Sequence, residues 1–197
     1  MLIYRKGVFC LESEWFGLRS TVSVLPALEL LRTSDYHIAY IHRDVATRAE
    51  LEHYLRKWLQ QRHTSYEILW LSIHAGRGIL LPGDMRRASE KLTLDDLEEQ
   101  LAGRCEGRMI HFGGCRTIAL KPARIRQFLE RTGAVAISGF EKKVDWTEST
   151  LFELAFLVEL QKRSLTRVGL RTVARTLRTQ QGSGWRRFGF RLYIRGD

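Results

Sequence analysis

The sequence predicts an α/β protein, a three-layer α/β/α sandwich on about six strands, mostly parallel, with an antiparallel strand at one edge. Short apolar runs alternate along the chain with longer segments whose apolar residues recur every three to four positions, the order that strand–helix–strand units produce. A chain of 197 residues, 44% of them hydrophobic, is long enough to bury one core. We therefore expect a single domain over residues 1–197, with right-handed crossovers between strands.

The expected strands are short runs of residues that are typically buried. In chain order they are Val8–Leu11, Tyr36–Ile41, a run from Ile68 to His74, a run from Met109 toward Cys115, Ala134–Gly139 and Phe188–Ile194. The last run alternates apolar residues with small or charged ones, which is typical of an edge strand with one solvated face. It is therefore the strand expected to close the sheet.

Helix-start signals precede the segments with helical spacing. Pro26 stands in an opening turn, Thr47 is a candidate N-cap, and acids follow Thr93 in a first turn. The expected helices are Val22–Leu31, a helix from Thr47 to Leu59, Thr93–Leu101, Pro122–Arg131, Thr147–Leu160 and Thr166–Arg178. The glycine-rich segment 76–84 predicts a loop or small hairpin outside the main sheet, and 182–184 predicts a turn.

The positive charge is concentrated at the C-terminal end of the sequence. The net charge is +10, and residues 161–197 contain ten Lys or Arg with Asp197 as their only acid. Such a segment is either the solvated face of a helix or a surface for nucleic acid or an acidic protein. The candidate surface residues on the last helix are Arg167, Arg171, Arg175 and Arg178.

The three cysteines have no regular spacing, which argues against a disulfide framework and fits a reducing compartment. The first residues carry too short an apolar stretch for a secretory signal. No run approaches the roughly 18 to 20 apolar residues that span a bilayer. We therefore expect a cytoplasmic protein that does not associate with membranes.

Two reactive side chains follow two of the expected strands. His74 ends the run from Ile68, and Cys115 follows the run from Met109. If these are adjacent parallel strands, their ends lie about 4.8 Å apart at the carboxyl edge of the sheet. A cysteine attacks a carbonyl as the thiolate, and a neighbouring histidine accepts its proton. Each residue alone is more often structural, but together they predict a thiol hydrolase.

Small residues surround both side chains. Gly113 and Gly114 precede Cys115, and Ala75 and Gly76 follow His74. Such residues leave the backbone uncovered, so that amide N–H groups can point at a developing oxyanion.

The segments Ser72–His74 and Gly113–Thr117 resemble the caspase-like cysteine peptidases, and within them the CHAT and separase branch. The resemblance extends from Val8 to about Leu160. It implies that His74 is the general base, that Cys115 is the nucleophile, and that the backbone amides of Ala75 and Cys115 form the oxyanion hole. Ala75 stands where this family usually has glycine, and an alanine there requires a negative φ.

A third block also resembles this branch and contains Asp145, ahead of a helix with Phe152 and Phe156. In separase-like members an acid after the fifth strand receives a basic side chain of the substrate. The resemblance therefore implies that Asp145 binds a Lys or Arg before the scissile bond. Asp145 and Glu148 also form a helix-capping pair, and the sequence is compatible with both interpretations.

The sequence therefore predicts a cysteine endopeptidase acting on a protein substrate after Lys or Arg. Compact members of this branch resemble bacterial effectors, so we expect a regulatory partner or signal to gate the activity. The alternative is a catalytically silent binding module whose basic helix binds nucleic acid or an acidic protein.

We expect no cofactor and no metal. The residues Cys105, His111, Cys115 and His74 lack the paired Cys-x-x-Cys spacing of a zinc site. The segment Gly76-Arg77-Gly78 lacks the Lys-Ser/Thr of a phosphate-binding loop.

Overall fold

The computed structural model describes residues 4–84 and 86–197. The strands in chain order are β1 Val8–Glu12, β2 Tyr40–Asp44, β3 Ile68–Ser72, β4 Ala75–Gly76, β5 Ile79–Leu80, β6 Leu92–Thr93, β7 Met109–Phe112, β8 Ala136–Phe140 and β9 Phe190–Ile194. The helices are α1 Leu25–Thr33, α2 Arg48–Trp58, α3 Leu94–Leu101, α4 Pro122–Thr132, α5 Trp146–Gln161, α6 Arg167–Gln180 and α7 Gly182–Phe188. Short 3-10 turns lie at Gln61–His63 and Ala88–Glu90.

The main sheet has six strands in the order β2-β1-β3-β7-β8-β9. Every neighbouring pair is parallel except β8 and β9, which are antiparallel. This confirms the predicted mostly parallel sheet with an antiparallel edge strand. The expected hairpin outside the sheet is also confirmed, because β4, β5 and β6 form a separate antiparallel sheet.

Two apolar cores cover the two faces of the main sheet and complete the three layers. Along β1, Phe9 and Leu11 face the core shared with α2, α3 and α4. Val8 and Cys10 face the core shared with α1, α5, α6 and α7. Strands buried on both faces read as continuous apolar runs in the sequence, which is why these strands could be predicted. None of the described helices is both long enough and apolar enough to span a membrane.

The second strand begins later than predicted. It starts at Tyr40 instead of Tyr36, because His37 has a φ of +49° and turns the chain there. The strand extends to Asp44 and includes polar residues, which it can accommodate because none of its residues is buried. The first helix likewise starts at Leu25 instead of Val22.

The predicted turn at 182–184 is wrong, since these residues form the first turn of α7. Trp185 and Phe188, three positions apart, are both buried on this short helix. Their burial outweighs the poor helix propensity of the glycines. Gly189 ends α7 with a φ of +61°, and the last strand therefore begins at Phe190 instead of Phe188.

Candidate functional site

The two reactive side chains line one pocket at the same edge of the main sheet. Strands β3 and β7 are adjacent and parallel, with Leu71 opposite Phe112, so both chains leave the sheet at the same edge. His74 follows β3 by two residues and Cys115 follows β7 by three. Both line a pocket of about 220 Å³. The pocket is lined by Trp15, Phe16, Ser72, His74, Gly113, Cys115, Val144, Asp145, Trp146, Ser149, Thr150 and Glu153.

The segment after β1 holds His74. Its backbone N–H donates to Ser13 Oγ at 3.1 Å, and its ring Nε2 lies 2.8 Å from the carbonyl oxygen of Trp15. A carbonyl oxygen only accepts hydrogen bonds, so Nε2 carries the proton. In the neutral ring, Nδ1 therefore has the free lone pair. The Trp15 ring packs edge-on against the imidazole, with 4.7 Å between centroids.

Cys115 is partly exposed, whereas Cys10 and Cys105 are buried. The Val144 N–H donates to Cys115 Sγ at 3.4 Å, and the thiol lies 3.7 Å from the Val144 carbonyl oxygen. Both protein partners of this sulfur thus belong to Val144, so the thiol and the His74 ring share a pocket without a hydrogen bond between them. Burial raises the pKa of Cys105 to about 12 and also raises the pKa of Cys10.

Close packing at the two strand ends explains the glycines before Cys115. A Cβ on Gly114 would lie 2.2 Å from the Ile73 carbonyl oxygen and 2.5 Å from Ala75 Cβ. The chain ends that carry His74 and Cys115 can approach this closely only if residue 114 has no side chain. From the sequence alone, these small residues were expected to serve a different purpose, an open oxyanion site.

The two predicted oxyanion donors lie at this contact. The Leu81 N–H donates to the His74 carbonyl at 2.7 Å, and Ala75 is paired with Leu80. This register puts Ala75 at a non-hydrogen-bonded position, with its N–H directed away from β5. Ala75 is not among the residues with positive φ, so the alanine fits its backbone. The Cys115 N–H has no backbone acceptor in the described part of the chain.

Asp145 lies at the mouth of the pocket and caps α5. Its Oδ1 accepts the Glu148 N–H at 3.0 Å, which confirms the capping interpretation. The side chain is exposed and also lines the pocket. Binding of a basic substrate side chain by Asp145 stays a prediction.

A buried pair beside the pocket was not predicted. His111 Nδ1 is 2.9 Å from Ser138 Oγ, and its Nε2 is 2.7 Å from Glu153 Oε1. His111 is 0% exposed and Glu153 2%. Burial raises the pKa of Glu153, and the hydrogen bond with His111 opposes this rise. An acid among the apolar residues of α5 was the one sequence signal for this pair.

One group of side chains has the composition of a metal site. Ligand atoms of Glu12, His42 and Asp44 lie within 4.8 Å of one another. Glu12 Oε1 and Oε2, however, already accept hydrogen bonds from four protein groups. A metal would have to displace these donors, so the trio is better explained as a hydrogen-bonding cluster.

The arginines of α6 are partly engaged within the chain. Arg167 and Arg171 pair with Asp197 at 2.5 and 2.7 Å, and the Arg178 guanidinium lies 4.8 Å from the Trp185 ring centroid. Arg175 is exposed. Binding of nucleic acid by this helix stays a prediction, with less free charge available to it than the sequence suggests.

Comparison with known proteins relates this chain to one protein family by sequence and to caspases by structure. The model of a family described as "Family of unknown function (DUF6642)" matches residues 5–194. The crystal structure of caspase-1 from Spodoptera frugiperda has a TM-score of 0.51 at 13% identity, covering 83% of this chain and 71% of that chain. The structure titled pro-sf-caspase-1 has a TM-score of 0.48 at 14% identity, covering 91% and 83%. No curated protein matches. The fold is therefore caspase-like.

Proposed function

The chain belongs to DUF6642, a family of unknown function, and we propose that it is a caspase-like cysteine endopeptidase that cleaves after lysine or arginine. The observation that carries this proposal is that His74 and Cys115 line one pocket at the ends of adjacent parallel strands. The caspase-like fold supports it. A fold hosts many functions, however, and the chemistry of the site decides which one a protein has.

In the proposed reaction, His74 Nδ1 takes the proton of the Cys115 thiol. The thiolate attacks the carbonyl carbon of the scissile peptide, and a C–S bond forms as the carbonyl becomes an oxyanion. The N–H groups of Ala75 and Cys115 stabilise that oxyanion. When the C–N bond breaks, the imidazolium gives its proton to the leaving amine, which leaves a thioester on Cys115.

Water then completes the cycle. His74 Nδ1 removes a proton from a water molecule as its oxygen attacks the thioester carbon. The C–S bond breaks, the carboxylic acid product leaves, and the proton returns to the sulfur. The bond from Nε2 to the Trp15 carbonyl supports the proposal throughout, because it keeps Nδ1 as the nitrogen that exchanges protons.

The contacts of the resting thiol suggest where activity is controlled. The Cys115 thiol donates to the Val144 carbonyl and accepts from the Val144 N–H, so its S–H must turn away from that carbonyl before His74 can take the proton. Val144 directly precedes the Asp145 cap of α5. A substrate or a regulatory partner that moves this segment would release the sulfur, in keeping with the expected gating.

The test uses an electrophilic peptide probe that ends in arginine. We expect stoichiometric labelling of the purified protein and no labelling of Cys115→Ala, measured by intact mass. Cys105→Ala is the matched control, since this second thiol is buried and should not react. Equal labelling of wild type and Cys115→Ala would refute the assignment of the nucleophile.

We propose further that Asp145 selects the basic side chain, as the acid after the fifth strand does in the separase-like members that this block resembles. The aromatic rings of Trp15 and Trp146 line the same pocket and suit the flat face of a guanidinium. The Asp145 carboxylate at the mouth supplies the opposite charge.

Asp145→Asn separates this role from helix capping, because asparagine caps a helix about as well as aspartate does. We expect kcat/KM for an arginine substrate to fall about tenfold or more, the effect of losing one charge-assisted contact. The melting temperature should not change. An unchanged preference for arginine over norleucine would show that Asp145 does not bind the substrate side chain.

A further inference from the structure

The segment from 13 to 24 joins β1 to α1, and one buried carboxylate anchors it. Glu12, the last residue of β1, is 2% exposed. Its Oε1 accepts the Trp15 Nε1–H at 2.7 Å and the Val24 N–H at 2.9 Å. Its Oε2 accepts the Ser23 hydroxyl at 2.6 Å and lies 2.8 Å from His42 Nε2. A single side chain thus holds both ends of the segment.

Little else packs the middle of this segment. Phe16 is 66% exposed and Leu18 is 96% exposed, and Gly17 has a φ of +91°. Such residues contribute few apolar contacts, so the conformation of the segment depends on its polar anchors.

The same segment contacts the His74 ring at two points. The Trp15 carbonyl accepts a hydrogen bond from the Nε2–H, and the Trp15 ring packs against the imidazole. The chain of contacts therefore runs from the Glu12 carboxylate to the Trp15 indole N–H, and from the Trp15 carbonyl to His74.

The electrostatics of Glu12 suit an anchor that stays ionised. Burial raises its pKa, but hydrogen bonds from His42, Ser23, the Val24 N–H and Trp15 outweigh this effect, so the pKa of Glu12 lies below its usual value. A carboxylate that stays ionised accepts charge-assisted hydrogen bonds, which are stronger than neutral ones.

We propose that Glu12 is a positioning residue: through Trp15 it holds the His74 ring in the orientation and tautomer that leave Nδ1 free to accept a proton. The role of that nitrogen in catalysis rests on the proposed function. The positioning of the ring by Glu12 does not, and it can be measured without any substrate.

The experiment follows the His74 tautomer by NMR of ¹⁵N-histidine-labelled protein at mildly alkaline pH. Wild type should show Nε2 protonated and Nδ1 unprotonated. In Glu12→Ala and in Trp15→Phe the two nitrogen shifts should move toward each other, because the bond to the Trp15 carbonyl is weakened. Trp15→Phe keeps the aromatic packing and covers the case in which Glu12→Ala does not fold.

The kinetic readout uses the same variants. We expect kcat to fall about tenfold in Trp15→Phe and further in Glu12→Ala, since a tenfold loss corresponds to about one hydrogen bond. KM should stay nearly unchanged in Glu12→Ala, whereas in Trp15→Phe it should also rise, because the Trp15 ring lines the proposed arginine pocket. Glu14→Ala, an exposed carboxylate on the same segment, is the matched control and should behave as wild type.

The outcomes separate the two proposals. If wild type cleaves no peptide but the tautomer shifts in both variants, positioning by Glu12 stands and the peptidase proposal fails. If the His74 nitrogen shifts of both variants match wild type, positioning by Glu12 is refuted, whether or not the protein cleaves peptides.

Discussion

The surroundings of His74 and of His111 differ in how many ring nitrogens are already hydrogen-bonded. His74 is partly exposed in the pocket and has one bonded nitrogen, Nε2. His111 is fully buried, and both of its nitrogens are bonded, to Ser138 and Glu153. A histidine serves as a base only where one nitrogen stays free beside the reacting group. Two histidines near the same sheet edge are thus suited to different tasks, reactivity and core structure.

The largest expected effect is on the reaction. His74→Ala should lower kcat/KM for an arginine peptide by about 10²- to 10⁴-fold, the usual contribution of general acid–base catalysis. The unfolding free energy should change by about 1 kcal/mol or less, because the ring is partly exposed. Steady-state rates with the arginine peptide measure the first effect, and urea denaturation of the same preparations measures the second. His53→Ala, an exposed histidine on α2, should leave both quantities unchanged.

For the buried pair of His111 and Glu153 we expect a large effect on stability. His111→Leu should lower the unfolding free energy by about 1–3 kcal/mol, because it leaves the Glu153 carboxyl buried without its hydrogen-bond partner. The double variant with Glu153→Leu should recover much of this loss, as removal of both polar groups avoids an unpaired one. A double-mutant cycle by urea denaturation measures the coupling. Additive effects of the two substitutions would contradict the assignment of a coupled pair.

The sequence predicted the region around His74 better than the region around His111, for a physical reason. Strands buried on both faces appear as continuous apolar runs, so β3 and β7 could be recognised, and residues following parallel neighbours share one edge of the sheet. His74 and Cys115 therefore came together as expected.

The contacts that hold these residues could not be predicted in the same way. Glu153 reaches His111 across 42 positions and Glu12 reaches His42 across 30, and no local periodicity encodes such pairs. Local propensity also failed at α7, where the buried Trp185 and Phe188 override two glycines. In each case tertiary packing decided the outcome.

The smallest expected effect is on how the unfolding free energy depends on pH. Burial raises the pKa of Glu153 above its usual 4.5. Just above pH 4.5 the unfolded chain has lost a proton that the native state keeps, so native stability falls as pH rises through this window. Glu153→Gln has no such proton, and its stability should depend less on pH, by up to about 1 kcal/mol per pH unit. Urea denaturation between about pH 4.5 and 7 measures the two slopes.

An exposed carboxyl provides the control for this measurement. Glu130→Gln on α4 changes the same chemical group in solvent, so its stability curve should run parallel to wild type. If the Glu153→Gln curve were also parallel, the native state would not retain a proton on Glu153 in this window. Glu153 would then be a buried carboxylate that accepts a hydrogen bond from His111 Nε2. The contrast between the two histidines would remain one of hydrogen bonding, because both ring nitrogens of His111 are bonded to buried side chains, whereas His74 is bonded through Nε2 to the Trp15 carbonyl.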